Sequence, residues 1–185
     1  MNHVPQDVRD AMVIEAWKLI AERGLEGMST REVLARSGAP RGSVYHYFPR
    51  GRVQLIEAAI DWAGAWMVRQ IDAIEAATAA ELLGGYVDIW RRVVEATDFR
   101  AGCAVAGLVA GAQERTLLDR GASAFSASID ALARRLGQLE DSSSTTLDRA
   151  RLLVCAVEGA VLMCRAQQSI EPLELVKRQW QRFVA

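Results

Sequence analysis

Apolar residues along this chain return every three to four positions, and nowhere do they alternate with polar ones as a half-buried strand requires. Near the amino end Met12, Ala16, Leu19 and Ile20 stand at i, i+4, i+7 and i+8, which predicts a helix over 7–23 stopped by Gly24. Ser29-Thr30-Arg31-Glu32 then reads as a capping box, with Ser29 capping and Glu32 reaching back, and opens a short helix over 30–36 that ends at Ser37-Gly38. Pro40 suits the first turn of a third helix, because its missing N–H is not needed there, and that helix runs through Tyr47. Phe48-Pro49-Arg50-Gly51 interrupts the chain before a long helix over 52–76. Further helices are predicted over 80–96, 102–114, 120–138, 146–168 and 172–184, with loops clearest at 98–102 and 141–145. Thr145, with Asp148 three residues on, marks a helix start. The fold class expected is all-α.

Composition supports this. A hydrophobic share of 51% is ample for a packed core. Charge adds something new. The net charge is −1, yet between residues 29 and 52 five arginines (Arg31, Arg36, Arg41, Arg50, Arg52) meet one acid, Glu32. That window carries about +4 and the remainder about −5, which marks either a polyanion site or a solvated arginine face.

Other chemistries find little support. Cys103, Cys155 and Cys164 form no CxxC pair, and an odd number fits neither a disulfide scaffold nor a zinc module. Cys155 and Cys164 are nine residues apart, so on one helix they face opposite sides and cannot share a metal. They read as small buried hydrophobes, with a redox-sensing thiol as the alternative. His3 and His46 are the only histidines. With neither a phosphate loop nor a nucleophile elbow, no catalytic constellation, metal or cofactor is expected. No signal peptide opens the chain and no apolar run reaches the ~18 residues of a membrane helix, so a soluble, cytoplasmic protein without a membrane partner is expected.

Two short helices joined by a glycine-containing turn, the second of them basic, make a helix-turn-helix, an arrangement that serves DNA binding or a plain structural corner. The second helix carries Arg41, Ser43, Tyr45, His46 and Tyr47. In a major groove Arg41 would address guanine edges bidentately and Ser43 a base or a phosphate. The hydroxyls and Arg52, at the start of the next helix, suit phosphate contacts.

The stretch 9–55, with Ala21-Glu22-Arg23-Gly24 and Gly38-Ala39-Pro40-Arg41-Gly42-Ser43-Val44-Tyr45-His46-Tyr47-Phe48-Pro49 before a long helix, resembles the TetR family of repressors. Gly38 to Ser43, together with Gly102-Cys103-Ala104-Val105-Ala106, is similar to its lincomycin- and flavonoid-responsive efflux repressors. The resemblance implies a three-helix DNA-binding module over 1–50 and a six-helix regulatory and dimerisation domain over 51–185. It further implies a homodimer built on the last two helices, a double-stranded operator and an inducer cavity. By motif position Ser29, Thr30, Arg41, Ser43, Tyr45, His46 and Tyr47 map onto DNA-facing positions. Arg52 stands where the family usually has a phosphate-binding lysine, and Pro40 where Ser or Thr is more typical.

In the regulatory half Trp62 and Trp66 lie one turn apart, with Trp90 on the next helix. Such spacing reads as core or as pocket wall. With Phe99, Cys103, Phe125 and Met163 they are expected to line a site for a small apolar or aromatic inducer. Residues 101–112 hold three glycines, which implies close helix packing or a cavity wall. The last two helices carry more apolar residues than one chain needs (Leu152, Leu153, Val157, Val161 and Leu162, then Leu175, Val176, Trp180 and Phe183), and Ala156, Gly159, Ala160 and Trp180 are expected at a dimer seam. Glu158 interrupts that apolar run, so it is exposed, paired across the seam, neutralised, or in contact with a ligand. The function expected is a repressor released by a small molecule. An architectural nucleic-acid binder without an inducer site is the other reading.

Overall fold

A computed structural model describes residues 8–139 and 145–184, the last two by backbone alone. His3, the Phe183 side chain and most of the loop expected at 141–145 lie outside the described residues. The described chain is helical throughout: α1 (Val8–Arg23), α2 (Thr30–Ser37), α3 (Ser43–Tyr47), α4 (Arg52–Asp72), α5 (Ala79–Ala96), α6 (Ala104–Gly111), α7 (Arg115–Leu139), α8 (Thr145–Gln167) and α9 (Glu171–Val184).

Local chemistry sets most of these boundaries. Gly24 and Gly38 adopt φ of 72° and 69°, the left-handed conformation that ends α1 and α2. Ser29 caps α2 through its hydroxyl, which accepts from the Glu32 N–H at 3.2 Å. The expected return contact is replaced: the Glu32 carboxylate accepts from Arg23 (2.8 Å) and Arg36 (3.0 Å) instead. A full capping box does open α5, where Thr78 and Glu81 satisfy each other's backbone N–H groups.

The third helix departs from expectation. It begins at Ser43, not Pro40, because Gly42 at its N-cap takes φ 91° and forces a turn that Pro40 closes with its carbonyl. Arg41 therefore sits on the turn leading into the helix.

By contact the chain forms two compact units. The first takes the chain up to Gly64 together with Ala104–Ala124; the second takes Ala65–Cys103 and the chain from Phe125 onward. The units thus interleave along the chain, whereas a division at residue 50 follows the sequence. In the first unit Met12, Leu19, Ile20, Val33, Phe48 and Ile60 are buried, and α6 packs on α1. A Cβ on Gly107 would lie 2.9 Å from the Ile20 carbonyl oxygen, and one on Gly111 would lie 3.1 Å from Leu25. In the second unit, a Cβ on Gly102 would come within 3.1 Å of Arg165. The glycines of 101–112 therefore serve close packing.

The second unit is built on α5, α8 and α9, with Tyr86, Val94, Leu153, Val157 and Leu173 at its centre and Leu132 and Leu136 from α7. Burying a large aliphatic or aromatic side chain contributes about 1.5–3 kcal/mol, so this cluster carries much of the unit's stability.

Candidate DNA-binding face and regulatory core

In the helix-turn-helix, Val33, Val44 and Phe48 point inward and fix α3 against α2. Arg31, Arg41, Tyr45 and His46 are left exposed, with Ser43 and Tyr47 half-buried. Tyr45 is 75% exposed, whereas the other described Trp, Tyr and Phe side chains are buried or half-buried. His46 meets Tyr47 edge-on, with ring centroids 4.7 Å apart. Ser29 is exposed at the α2 cap and Thr30 half-buried beside it.

The five arginines of this stretch divide sharply. Arg36 donates to Glu22 (3.1 Å) and Glu32 (3.0 Å). Arg50 forms a two-pronged pair with Glu57, a carboxylate only 6% exposed. Arg120 of α7 lies 3.6 Å from the same carboxylate and also pairs with Asp61 at 2.6 Å. Arg52 donates to the carbonyls of Met28 (3.1 Å) and Leu25 (2.7 Å), pinning the start of α4 to the loop between α1 and α2. Of these five, Arg31 and Arg41 are the two whose guanidinium has neither an ion pair nor a hydrogen bond among the described residues. They are the charges this face can offer a polyanion at least internal cost. Subtracting the internal carboxylate partners, which lie up to fourteen residues away, required the structure.

The seven side chains expected to line an inducer site are divided between the two units. Trp62 belongs to the first unit, where its ring lies 4.6 Å from that of Trp17. Met163 is 52% exposed on α8, among Leu152 and Leu162, so it is a surface residue. Trp90 is buried in the core of the second unit, and Trp66, Phe99, Cys103 and Phe125 pack against that core. The seam residues divide too: Gly159 is exposed with nothing within 4 Å of its Cβ position, whereas Ala160 (4%) and Trp180 (9%) are buried within their own unit. Ala156 is half-buried. Helical phase explains the split, since α8 turns Val157, Ala160 and Val161 inward and Leu152, Cys155, Gly159, Leu162 and Met163 outward.

Two further groups matter here: Tyr86, to which no sequence pattern pointed, and the half-buried Glu158, which interrupts the apolar run of α8. Tyr86 of α5 is 1% exposed; burial and the Glu158 carboxylate raise its pKa well above the ordinary tyrosine range. The Trp90 indole N–H opposes that rise but lacks hydrogen-bonding geometry to any acceptor among the described residues. Glu158 itself is pushed up to about 7, by burial first, with the Cys103 thiol holding it down in part.

An exposed helix-turn-helix with two uncommitted guanidinium groups, attached to a separate helical core, defines a DNA-binding regulator. Residues 15–59 match the family described as bacterial regulatory proteins, tetR family, and residues 79–179 the LmrA/YxaF-like C-terminal domain of transcriptional regulators. A helix-turn-helix regulator of Mycobacterium tuberculosis strain H37Rv, the uncharacterized Rv0196, is 39% identical over 181 residues, covering 94% of this chain and 92% of that one. The regulator LmrA of Bacillus subtilis is 25% identical over 171 residues, covering 90% and 91% of the two chains. A TetR transcriptional regulator from Legionella pneumophila shares the fold across the full length of both chains, with a TM-score of 0.85 at 18% identity. The chain belongs to the TetR family of transcriptional regulators, with an LmrA/YxaF-like C-terminal domain. No described helix is long and apolar enough to cross a membrane, and the described residues contain no group of three or more His, Cys, Asp or Glu placed to hold a metal ion.

Proposed function

We propose that the protein is a cytoplasmic repressor that binds a palindromic operator as a homodimer and leaves it when a small, mostly apolar molecule enters the regulatory core. The observation that carries the DNA half is the pair Arg31 and Arg41, exposed and uncommitted on the helix-turn-helix. On this reading Arg41 reads a guanine edge, Ser29, Thr30, Ser43, Tyr45, His46 and Tyr47 contact bases or phosphates, and residues 1–50 act as the DNA-binding part. Arg52 meets a phosphate with the N–H groups its two carbonyl contacts leave over.

Dimerisation is supported by the outward face of α8 and α9, where Leu152 (56%), Leu162 (58%), Met163 (52%) and Leu175 (48%) are exposed beside the open Gly159. Large apolar side chains gathered around a small residue suit self-association about a two-fold axis. Such an axis also matches two half-sites on one face of DNA. Light scattering at micromolar concentration should return twice the 20.3 kDa chain mass. Anisotropy of a labelled operator duplex should fall when an apolar aromatic effector is added. A monomer, or an operator complex indifferent to a broad panel of apolar compounds, contradicts the corresponding half of the proposal.

A further inference from the structure

At the edge of the second unit's core a half-buried carboxylate, Glu158, has one oxygen that its neighbours do not satisfy. Glu158 lies on α8 beside Val157 (0% exposed) and close to Val161 (1%), and its Oε2 is buried and accepts no hydrogen bond among the described residues. The groups facing it from other elements are the Cys103 thiol, ahead of α6, and the Tyr86 hydroxyl of α5. Neither carries positive charge. Arg165, two turns along α8, donates to the Arg100 carbonyl at 2.9 Å. A buried carboxylate left without a cation is expensive, and proteins retain such groups chiefly at functional sites.

We propose that Glu158 is the polar anchor of the effector site and that the effector is a lipophilic aromatic cation whose charge takes the open Glu158 Oε2. This rests on the reading that a small molecule releases the operator, and deepens it by naming the class of molecule. The charge balance favours a cation. Burial holds the Glu158 proton to about pH 7, so a cation entering near neutral pH replaces that proton and leaves the site's net charge unchanged. An anion is repelled, and a neutral molecule leaves the carboxylate uncompensated. Trp66, Phe99 and Phe125, packed against the same core, are the aromatic residues that would receive the body of such a ligand.

The site also has a way to report occupancy. Oε2 is shut off from solvent and the Cys103 thiol bonds the same carboxylate, so a cation that takes Glu158 competes with Cys103 for it. Cys103 ends a segment in which Asp98 and Phe99 both take left-handed φ values, 50° and 57°, unfavourable for residues other than glycine. That segment leads directly into α6, which Gly107 holds against α1 of the DNA-binding unit. Displacing Cys103 therefore acts on a strained connection whose far end rests on the helix-turn-helix scaffold.

The experiment uses the full chain and two matched pairs: desipramine with its neutral N-acetyl derivative, and tetraphenylphosphonium with triphenylphosphine oxide. Binding is read by calorimetry and release by operator anisotropy. At pH 8 at least one cation should bind about tenfold or more tightly than its neutral partner and release the operator. Glu158→Gln should erase that preference without weakening the neutral partner. In the native protein, moving from pH 8 to pH 5.5 should weaken the cation about tenfold or more, because Glu158 regains its proton, and Glu158→Gln should show no such dependence. Cys103→Ala, which removes the competing donor, should retain or strengthen cation binding and guards against misfolding of the first variant. Equal binding of cation and neutral partner, or cation binding unchanged in Glu158→Gln, overturns the anchor. Should neutral apolar compounds alone release the operator, the anchor falls and the ligand-responsive repressor stands. If these four compounds and a broad apolar panel all leave the operator complex intact, both fall.

Discussion

The two units of this chain handle charge in opposite ways. In the first, nearly every charge near the helix-turn-helix is matched: Arg36 by Glu22 and Glu32, Arg50 by the buried Glu57, Arg52 by two carbonyls. What is left over, Arg31 and Arg41, lies on the surface where water solvates it cheaply. In the second unit the unmatched charge is half-buried, where Glu158 has an Oε2 shut off from solvent and without a hydrogen-bond partner among the described residues. A surplus charge at the surface is available to a polyanion at little cost to the fold. A surplus charge in the core lowers stability until something compensates for it, which ties it to a ligand or to a proton.

The largest effect expected from this contrast is on pH dependence. The Glu158 pKa stands at about 7 in the folded chain against 4.5 for the unperturbed group. Between those values the folded state binds more protons than the unfolded one, so stability is complete below pH 4.5 and declines as pH rises toward 7. The loss integrates to about 3 kcal/mol, so Glu158→Gln should be more stable than the native protein at pH 8 and nearly equal to it at pH 4. Urea melts at the two pH values check this; a variant destabilised at pH 8 means that Glu158 is compensated after all.

Next come the arginines. Arg41→Ala should lose about 1–3 kcal/mol of operator affinity and relax preference at one base position, with an unchanged melting temperature. Arg52→Ala should weaken binding to all duplexes alike, lower the salt slope by about one unit, and also melt earlier. The last effect follows because Arg52 holds two backbone carbonyls, a role that its place in the motif did not disclose. If Arg41→Ala alters stability and Arg52→Ala does not, their roles are reversed.

Packing gives smaller effects. Gly107→Ala places a Cβ 2.9 Å from a backbone oxygen that a side-chain movement cannot relieve, and should cost about 1–2 kcal/mol. Gly159→Ala meets no atom within 4 Å and should stabilise the protomer by up to about 1 kcal/mol through helix propensity. Gly159→Arg should shift light scattering toward the monomer while leaving the protomer folded, since the added charge enters the apolar face.

Much of the first unit was legible in the sequence because its signals are local. Gly24, Ser29 and Gly38 act through their own φ or their own hydroxyl, within three residues of where they stand. The start of α3 was misjudged because Pro40 and Gly42 both announce a turn, and only the backbone geometry decides which of them precedes the helix. The second unit was harder. Trp62 and Trp66 are one turn apart, yet they fall in different units, a division made by long-range contacts that spacing does not disclose. On α8, apolar residues occupy both faces, and composition alone did not show that Ala160 turns inward while Leu162 turns outward. Tyr86 feels the Glu158 charge from more than seventy residues away in sequence, beyond any local pattern.

The central claim is that Arg41 and its neighbours, presented twice by a dimer, read one palindromic site. Selection of bound duplexes from a random pool, followed by sequencing, tests it directly. The account predicts one enriched palindrome with half-sites about one helical turn apart or a multiple of that, lost when Arg41→Ala is used for the selection. Recovery of unrelated sequences with no shared motif, by the native protein at physiological salt, contradicts it.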